Sequence, residues 1–362
     1  MRLLRVELRR LWMRRVTWGG LLLALVVAGL GVAGQIGSAQ PPTDRQVAEA
    51  EAFYAEELER WEETGEQQVE QCEEAEAEAA ADDPGADFGC DDMAPRLEYF
   101  LPPTVSFVPD ADDREAAAFG LPPDRGESQD PRVAEIEQSV WTGWSGVGAA
   151  AGYAPAFLML AFVVGVSFMT AERSTGALGM WLTFEPRRSR VYGSKALAAA
   201  LGTVPLVVAG WAAVAGGIYT LHAVFGTVGT VTTEDWVEIG AFSVRLVGAG
   251  VLCAAVGTAL GVLLRHAVAA VGAVAVVLWA GAAFGYPLGA AQRWTPTTNL
   301  TAWLEGGTAY GVALETRDES GMVTTTWTTE VVTGLQGGLY LLAVAAVLTL
   351  LAVVVFRRRD VA

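Results

Sequence analysis

The two residues best placed to do covalent chemistry are Ser145 and His222. Ser145 stands in Gly143-Trp144-Ser145-Gly146, a Gly-x-Ser-Gly pattern, and both residues fall near the ends of long apolar runs. A serine activated by a histidine within hydrogen-bond reach would hydrolyse a peptide bond at the edge of a membrane. Four residues carry little weight in a chain with 41 glycines, and Ser145 at the head of an apolar run has a simpler role as a helix N-cap. ATP hydrolysis through a phosphate loop is excluded: Gly-x-x-x-x-Gly-Lys-Ser/Thr is absent, and Lys195 is the sole lysine. Two histidines, His222 and His266, are too few for a His-Glu-x-x-His or multi-histidine zinc site. Asp82, Asp83, Asp87, Asp91 and Asp92 lack the spacing of a calcium loop and read as a solvated acidic face. No catalytic residue, metal or cofactor is expected, and the chain is not expected to be an enzyme.

The apolar runs that would position these residues define the class. Hydrophobic residues make up 52% of 362, and several runs reach the roughly 20 residues needed to cross about 30 Å of hydrocarbon. The expected fold is an all-α integral membrane protein with six transmembrane helices and a large acidic, partly helical extracytoplasmic segment between the first two. The expected divisions are 1–15, an interfacial helix; 16–37, span one; 38–145, the acidic segment; and 146–170, span two. Residues 171–195 form a cytoplasmic loop, 196–285 hold spans three to five, 286–332 form a second external segment with interfacial helices, 333–356 form span six and 357–362 the tail. Pro205 is expected to kink span three. Arg245, near the outer end of span four, is expected to snorkel.

Charge sets the orientation. The net charge is -17, yet residues 38–140 alone hold 29 acids against 6 arginines. Elsewhere the balance is basic: 15 of the 24 Lys and Arg lie in the short segments at residues 1–15, 171–195, 265–266 and 357–362. The positive-inside bias puts these in the cytoplasm, with both termini, so the chain is read as a multi-pass protein of the cell membrane. Membrane lipid is the expected surroundings, and no nucleic acid is expected as a partner. A signal peptide cut after Ala39 competes for the first run, which is long for that role.

Two segments stand out beyond the spans. Val47, Tyr54, Leu58, Trp61, Val69 and Cys72 follow one helical stripe, so residues 43–81 are expected as one or two amphipathic helices. Cys72 and Cys90 lie in this exported segment, where an oxidising compartment permits a disulfide; two free thiols are the alternative. The second segment is the island at residues 171–195, AERSTGALGMWLTFEPRRSRVYGSK. It carries five cations against two acids, with Leu178, Met180, Trp181, Leu182 and Phe184 between them. That is too little apolar length to cross a bilayer and enough for a docking element along its surface.

Taken together, these features resemble the permease subunit of a type 2 ATP-binding-cassette exporter. The resemblance rests on the span pattern, the basic N-terminal helix, the large external segment after span one, Glu172-Arg173-x-x-Gly176-x-Leu178 with Pro186 and Arg190 downstream, and the terminal Phe356-Arg357-Arg358-Arg359-Asp360. Ala177 departs from the usual pattern, where Thr is common. The resemblance implies that the loop after span two docks on a separate ATPase subunit, which binds the ATP, and that two permease subunits, as a homodimer or heterodimer, enclose the export path. Glu172, Arg173, Gly176, Leu178, Trp181, Arg187, Arg188 and Arg190 are then the expected coupling residues. A membrane-anchored receptor or scaffold using the acidic external helix is the alternative. Gly- and Ala-rich spans without a buried charge site suit an amphipathic, lipid-like or peptide-like substrate.

Overall fold

Runs of Leu, Val, Ala and Gly in an apolar medium leave the backbone no partner but itself, and the chain accordingly winds into helices. The computed structural model describes residues 2–79, 88–90, 93–101, 105–109, 141, 145–174, 187–283, 286–317 and 323–358. They fall into two units, Met1–Ala39 with Ser106–Ala362, and Gln40–Val105. In chain order the helices are α1 (Arg2–Trp12), α2 (Arg15–Gly34), α3 (Ile36–Ala39), α4 (Asp44–Ala79) and α5 (Leu97–Phe100). Then come α6 (Gly146–Ala151), α7 (Ala154–Ser174), α8 (Arg188–Gly202), α9 (Val204–Phe225), α10 (Thr233–Leu264) and α11 (Ala267–Ala283). A 3-10 stretch, Tyr286–Trp294, leads to α12 (Pro296–Glu305), strands β1 (Gly307–Arg317) and β2 (Val323–Thr333), and α13 (Gly334–Arg358).

Among the described residues, five helical stretches are long and apolar enough to cross a membrane: Arg15–Gly34, Gly146–Glu172, Arg188–Phe225, Thr233–Leu264 and Gly334–Arg358. The expected fifth span corresponds to α11, which is apolar throughout but 17 residues long among the described residues. That gives about 25 Å at 1.5 Å per residue, short of the roughly 30 Å core. The third stretch starts earlier than expected, at Arg188, and it is broken two residues before Pro205. Thr203 ends α8, with its hydroxyl donating to Ala199 O (3.0 Å) and Ala200 O (3.1 Å). Pro205 then sits in the first turn of α9, where a missing N–H costs nothing. The expected kink is therefore a change of helix.

The core forms where small residues let backbones meet. A Cβ on Gly165 of α7 would stand 2.3 Å from Ala254 O of α10, and one on Gly257 would stand 2.4 Å from Phe162 O. Only glycine permits so close a crossing. Trp211, Phe242 and Trp141 stack across the neighbouring layer, and Trp211 Nε1 donates to Ser243 Oγ at 2.8 Å. α1, expected on the membrane surface, turns its apolar stripe into protein: Leu11 is fully buried against Gly202 of α8, and Leu4 and Leu8 pack on the same core. On the other side, residues 106–108 bridge two helix ends. Phe107 N and Val108 N donate to Thr227 O and Val228 O, while Ser106 O and Phe107 O accept from Gly146 N and Val147 N.

The span ends are set by local chemistry. Thr232 and Asp235 form a reciprocal capping box at the start of α10. Arg265 closes α10 in the left-handed region, φ 63°, before α11 starts. Residues 286–332, expected as a second external segment with interfacial helices, hold α12 and also most of an antiparallel hairpin with register Gly307↔Thr333 to Arg317↔Val323. Its β-branched Thr and Val residues favour extended chain. Tyr310, Val312 and Val332 pack with Ala302 of α12. The hairpin is the exception to the all-helical expectation.

The smaller unit is built on α4, a single helix of 36 residues. Val47, Tyr54, Leu58, Trp61, Val69 and Cys72 are half-buried along it, while most other positions are exposed. The chain after α4 returns beside it: Cys90 is joined to Cys72 by a disulfide, and Phe100 lies 5.9 Å from Tyr54, ring to ring. The candidate calcium aspartates at residues 82, 83, 87, 91 and 92 lie outside the described residues.

Candidate functional site

Three helices distant in sequence each send a charge into one dry volume. Glu7 comes from α1, Glu172 from the last turns of α7 and Lys195 from the middle of α8; their exposures are 1%, 6% and 0%. Lys195 Nζ donates to Glu7 Oε2 at 3.0 Å and pairs with Glu172 Oε2 as well. Arg14, in the turn between α1 and α2, extends the chain of charge: its NH2 meets Glu172 Oε1 at 2.8 Å and its NH1 donates to Ser167 O at 3.3 Å. Phe168, fully buried, lies between the two cations, with its ring centre 4.7 Å from the Arg14 guanidinium and 5.0 Å from Lys195 Nζ.

The cluster is held by packing as much as by charge. α1 reaches it because its leucine stripe docks on α8, which brings Glu7 over Lys195. A buried ammonium is tolerated only with close carboxylates, and removing one partner of such a set typically costs about 3–5 kcal/mol. An ammonium clamped between two carboxylates is a tie and not a nucleophile. The chemistry available is therefore mechanical: the cluster fastens α1, α7 and α8 to one another.

The island is thus joined at its base. Glu172 at its start and Lys195 at its end are brought together, and helix continues inward from both sides, to Ser174 and from Arg188. The loop proper is shorter than residues 171–195. Arg173 lies in the last turn of α7, with its side chain outside the described residues. Gly176, Leu178 and Trp181 lie outside them altogether. Arg187, Arg188 and Arg190 stand at the start of α8, where they line a cavity with Ser189 and, from α13, Arg357.

The other chemical candidates have structural roles. Ser145 caps α6, its Oγ accepting from Gly148 N at 3.0 Å. His222 is fully buried, and its Nδ1 meets Thr227 Oγ1 at 2.9 Å. Its Nε2 faces Gly146, where a Cβ would come within 2.6 Å, and it has no hydrogen-bond partner among the described residues. The serine and histidine are neighbours without a shared bond. Arg245, expected to snorkel, meets the end of α12: its NH1 donates to Leu304 O (3.4 Å), and Trp303 Nε1 donates back to Arg245 O (2.9 Å). Beside this contact, burial pushes the Glu305 carboxyl up to about 7.

Glu7 and Arg14 were not among the expected site residues. The signal for Glu7 was present: it is the one acid among six arginines in residues 1–15, and Lys195 is the one lysine in an arginine-rich chain. Nothing in the sequence marked Arg14 apart from its five fellow arginines. The family model described as ABC-2 family transporter protein matches residues 1–361. No curated protein and no solved structure matches the chain. With the match running the whole length of its apolar helices and both charged ends, the chain belongs to the ABC-2 family of transporter proteins, as a multi-pass membrane permease subunit of the kind that pairs with an ATP-binding-cassette ATPase.

Proposed function

We propose that this permease subunit, together with a second permease subunit, forms the path of an exporter and takes its energy from the ATPase through the loop between α7 and α8. In this reading both termini and the loop face the cytoplasm. Leu178 and Trp181 fill an apolar pocket on the ATPase, Gly176 lets the loop turn, and Arg187, Arg188 and Arg190 set the sign of the surface that it meets. Glu172 and Arg173 anchor the loop to α7.

The observation that carries the reading is the buried tie from Lys195 to Glu172 and Glu7. A docking loop transmits force only if its two feet move as one body, and this tie joins the feet to each other and to α1. The test is co-purification of the ATPase with wild-type and Trp181→Ala permease, with ATP hydrolysis measured in reconstituted membranes. The expected result is normal insertion and about tenfold weaker coupling, equivalent to about 1.4 kcal/mol. Unchanged binding and unchanged stimulation of hydrolysis would sink the reading.

A further inference from the structure

A second basic feature lies at the start of α8. Arg187 at the N-cap of α8, Arg188, Ser189 and Arg190 in its first turn and Arg357 from the last turn of α13 surround an open cavity of about 600 Å3. The two helices are in contact just beneath it, where Tyr192 and Phe356 lie 6.1 Å apart, ring to ring, in a buried cluster with Met169, Val262 and Ala352. The spacing between the guanidiniums of α8 and Arg357 is therefore set by packed helices and not by loops. The first turn of α8 contains no acidic residue, and Arg187 at its N-cap makes no capping bond through its side chain. The positive end of the helix thus adds to the arginines. Such a concentration of positive charge in one open cavity selects an anion, and planar guanidiniums are matched to phosphate oxygens.

The position of the cavity says which phosphate. Arg188 opens one apolar stretch long enough to cross a membrane and Arg358 closes another, so the cavity stands at the depth where two spans leave the hydrocarbon. Below it, each helix presents an exposed apolar stripe in phase with its arginine. On α8, Leu197 (48% exposed) and Leu201 (45%) lie about two and three turns from Arg190. On α13, Val354 (46%), Leu350 (64%) and Val347 (55%) lie about one, two and three turns from Arg357. A free phosphate would use the arginines and ignore the stripes. A phospholipid uses both.

We propose that the cavity bounded by Arg187, Arg188, Arg190 and Arg357 binds the phosphate headgroup of an anionic phospholipid, with its acyl chains descending along the Leu197–Leu201 and Val347–Val354 stripes. Arg187, Arg188 and Arg190 are shared with the proposed ATPase-facing surface and Arg357 is not, so Arg357→Gln tests the lipid site apart from that reading.

The test uses the full-length protein, purified without the ATPase and offered detergent micelles containing dioleoylphosphatidylglycerol or dioleoylphosphatidylcholine, with retained lipid counted by native mass spectrometry. The expected result is about tenfold greater retention of the anionic lipid, a preference lost in Arg187→Gln/Arg357→Gln and weakened in Arg357→Gln alone. Inorganic phosphate in large excess should leave the lipid in place. Equal retention of both lipids by the wild-type protein, or an unchanged preference in the double variant, would overturn the proposal. Full displacement by inorganic phosphate would make a free anion the ligand and overturn it equally. A double variant that loses the ATPase while keeping the lipid preference would assign these arginines to protein docking instead. If the double variant fails to elute as a single folded species, the wild-type comparison of the two lipids and phosphate decides.

Discussion

Lys195 and Glu7 meet at 3.0 Å although 188 residues separate them, and neither is exposed to solvent. The contact makes the N-terminal helix part of the same body as α8. A single substitution at Lys195 should therefore be felt at residues far from it in sequence.

Lys195→Ala leaves Glu7 and Glu172 buried without their shared cation, and the expected destabilisation is about 3–5 kcal/mol. Lys195→Met combined with Glu7→Gln and Glu172→Gln removes the charges together and should recover much of that loss. Thermal unfolding of the purified variants in one detergent checks the order. A single variant as stable as wild type would show that the tie carries no load.

The same geometry separates two probes of coupling. Glu172→Ala disturbs the buried cluster, so it should lower thermal stability and transport together. Trp181→Ala should lower coupling about tenfold while leaving stability within about 0.5 kcal/mol, as for changes away from the core. Parallel melting curves and transport assays distinguish the two.

The disulfide makes a count of thiols predictable. Labelling of the unfolded, unreduced protein should find Cys253 alone, and reduction should add Cys72 and Cys90. Three reactive thiols before reduction would contradict the pairing. Removing the bridge, which closes a loop of roughly 18 residues, should cost the smaller unit about 3 kcal/mol.

Glu305 gives the segment that holds α12 a pH dependence. Its carboxyl is raised by burial from 4.5 to about 7, so the folded state favours the protonated form. The sign follows: stability is full below about 4.5, falls as pH rises toward 7 and levels off above it. Glu305→Gln should flatten that slope. Hydrogen exchange of α12 and the hairpin at pH 5 and pH 8 measures it, and equal protection at the two values would contradict the assignment.

The sequence was legible where periodicity and charge decide alone. Runs of apolar residues announced the long helices, and the stripe from Val47 to Cys72 announced α4. It was less legible where a partner in space decides. The start of α8 at Arg188 looked like loop because a lysine and three arginines follow Pro186; the helix exists because Glu7 and Glu172 neutralise Lys195 inside it. Pro205 drew attention to itself, yet the break falls at Thr203, whose hydroxyl satisfies the carbonyls of the preceding turn. Arg245 was legible as a cation near the end of a span, while its partner, the Leu304 carbonyl at the end of α12, lies 59 residues away in sequence.

The break at Thr203 has a geometric result. α8 is 15 residues long, about 22 Å from Thr203 to Arg188, and it is bolted to α1 and α7 through Lys195. α9 packs instead along α2. A rotation of about 10° at Thr203 would swing the Arg188 end by about 4 Å, a lever whose short motion at the fulcrum becomes a long one at the tip. One stretch of the chain thus divides its contacts at Thr203, with α8 tied to α1 and α7 and with α9 laid along α2.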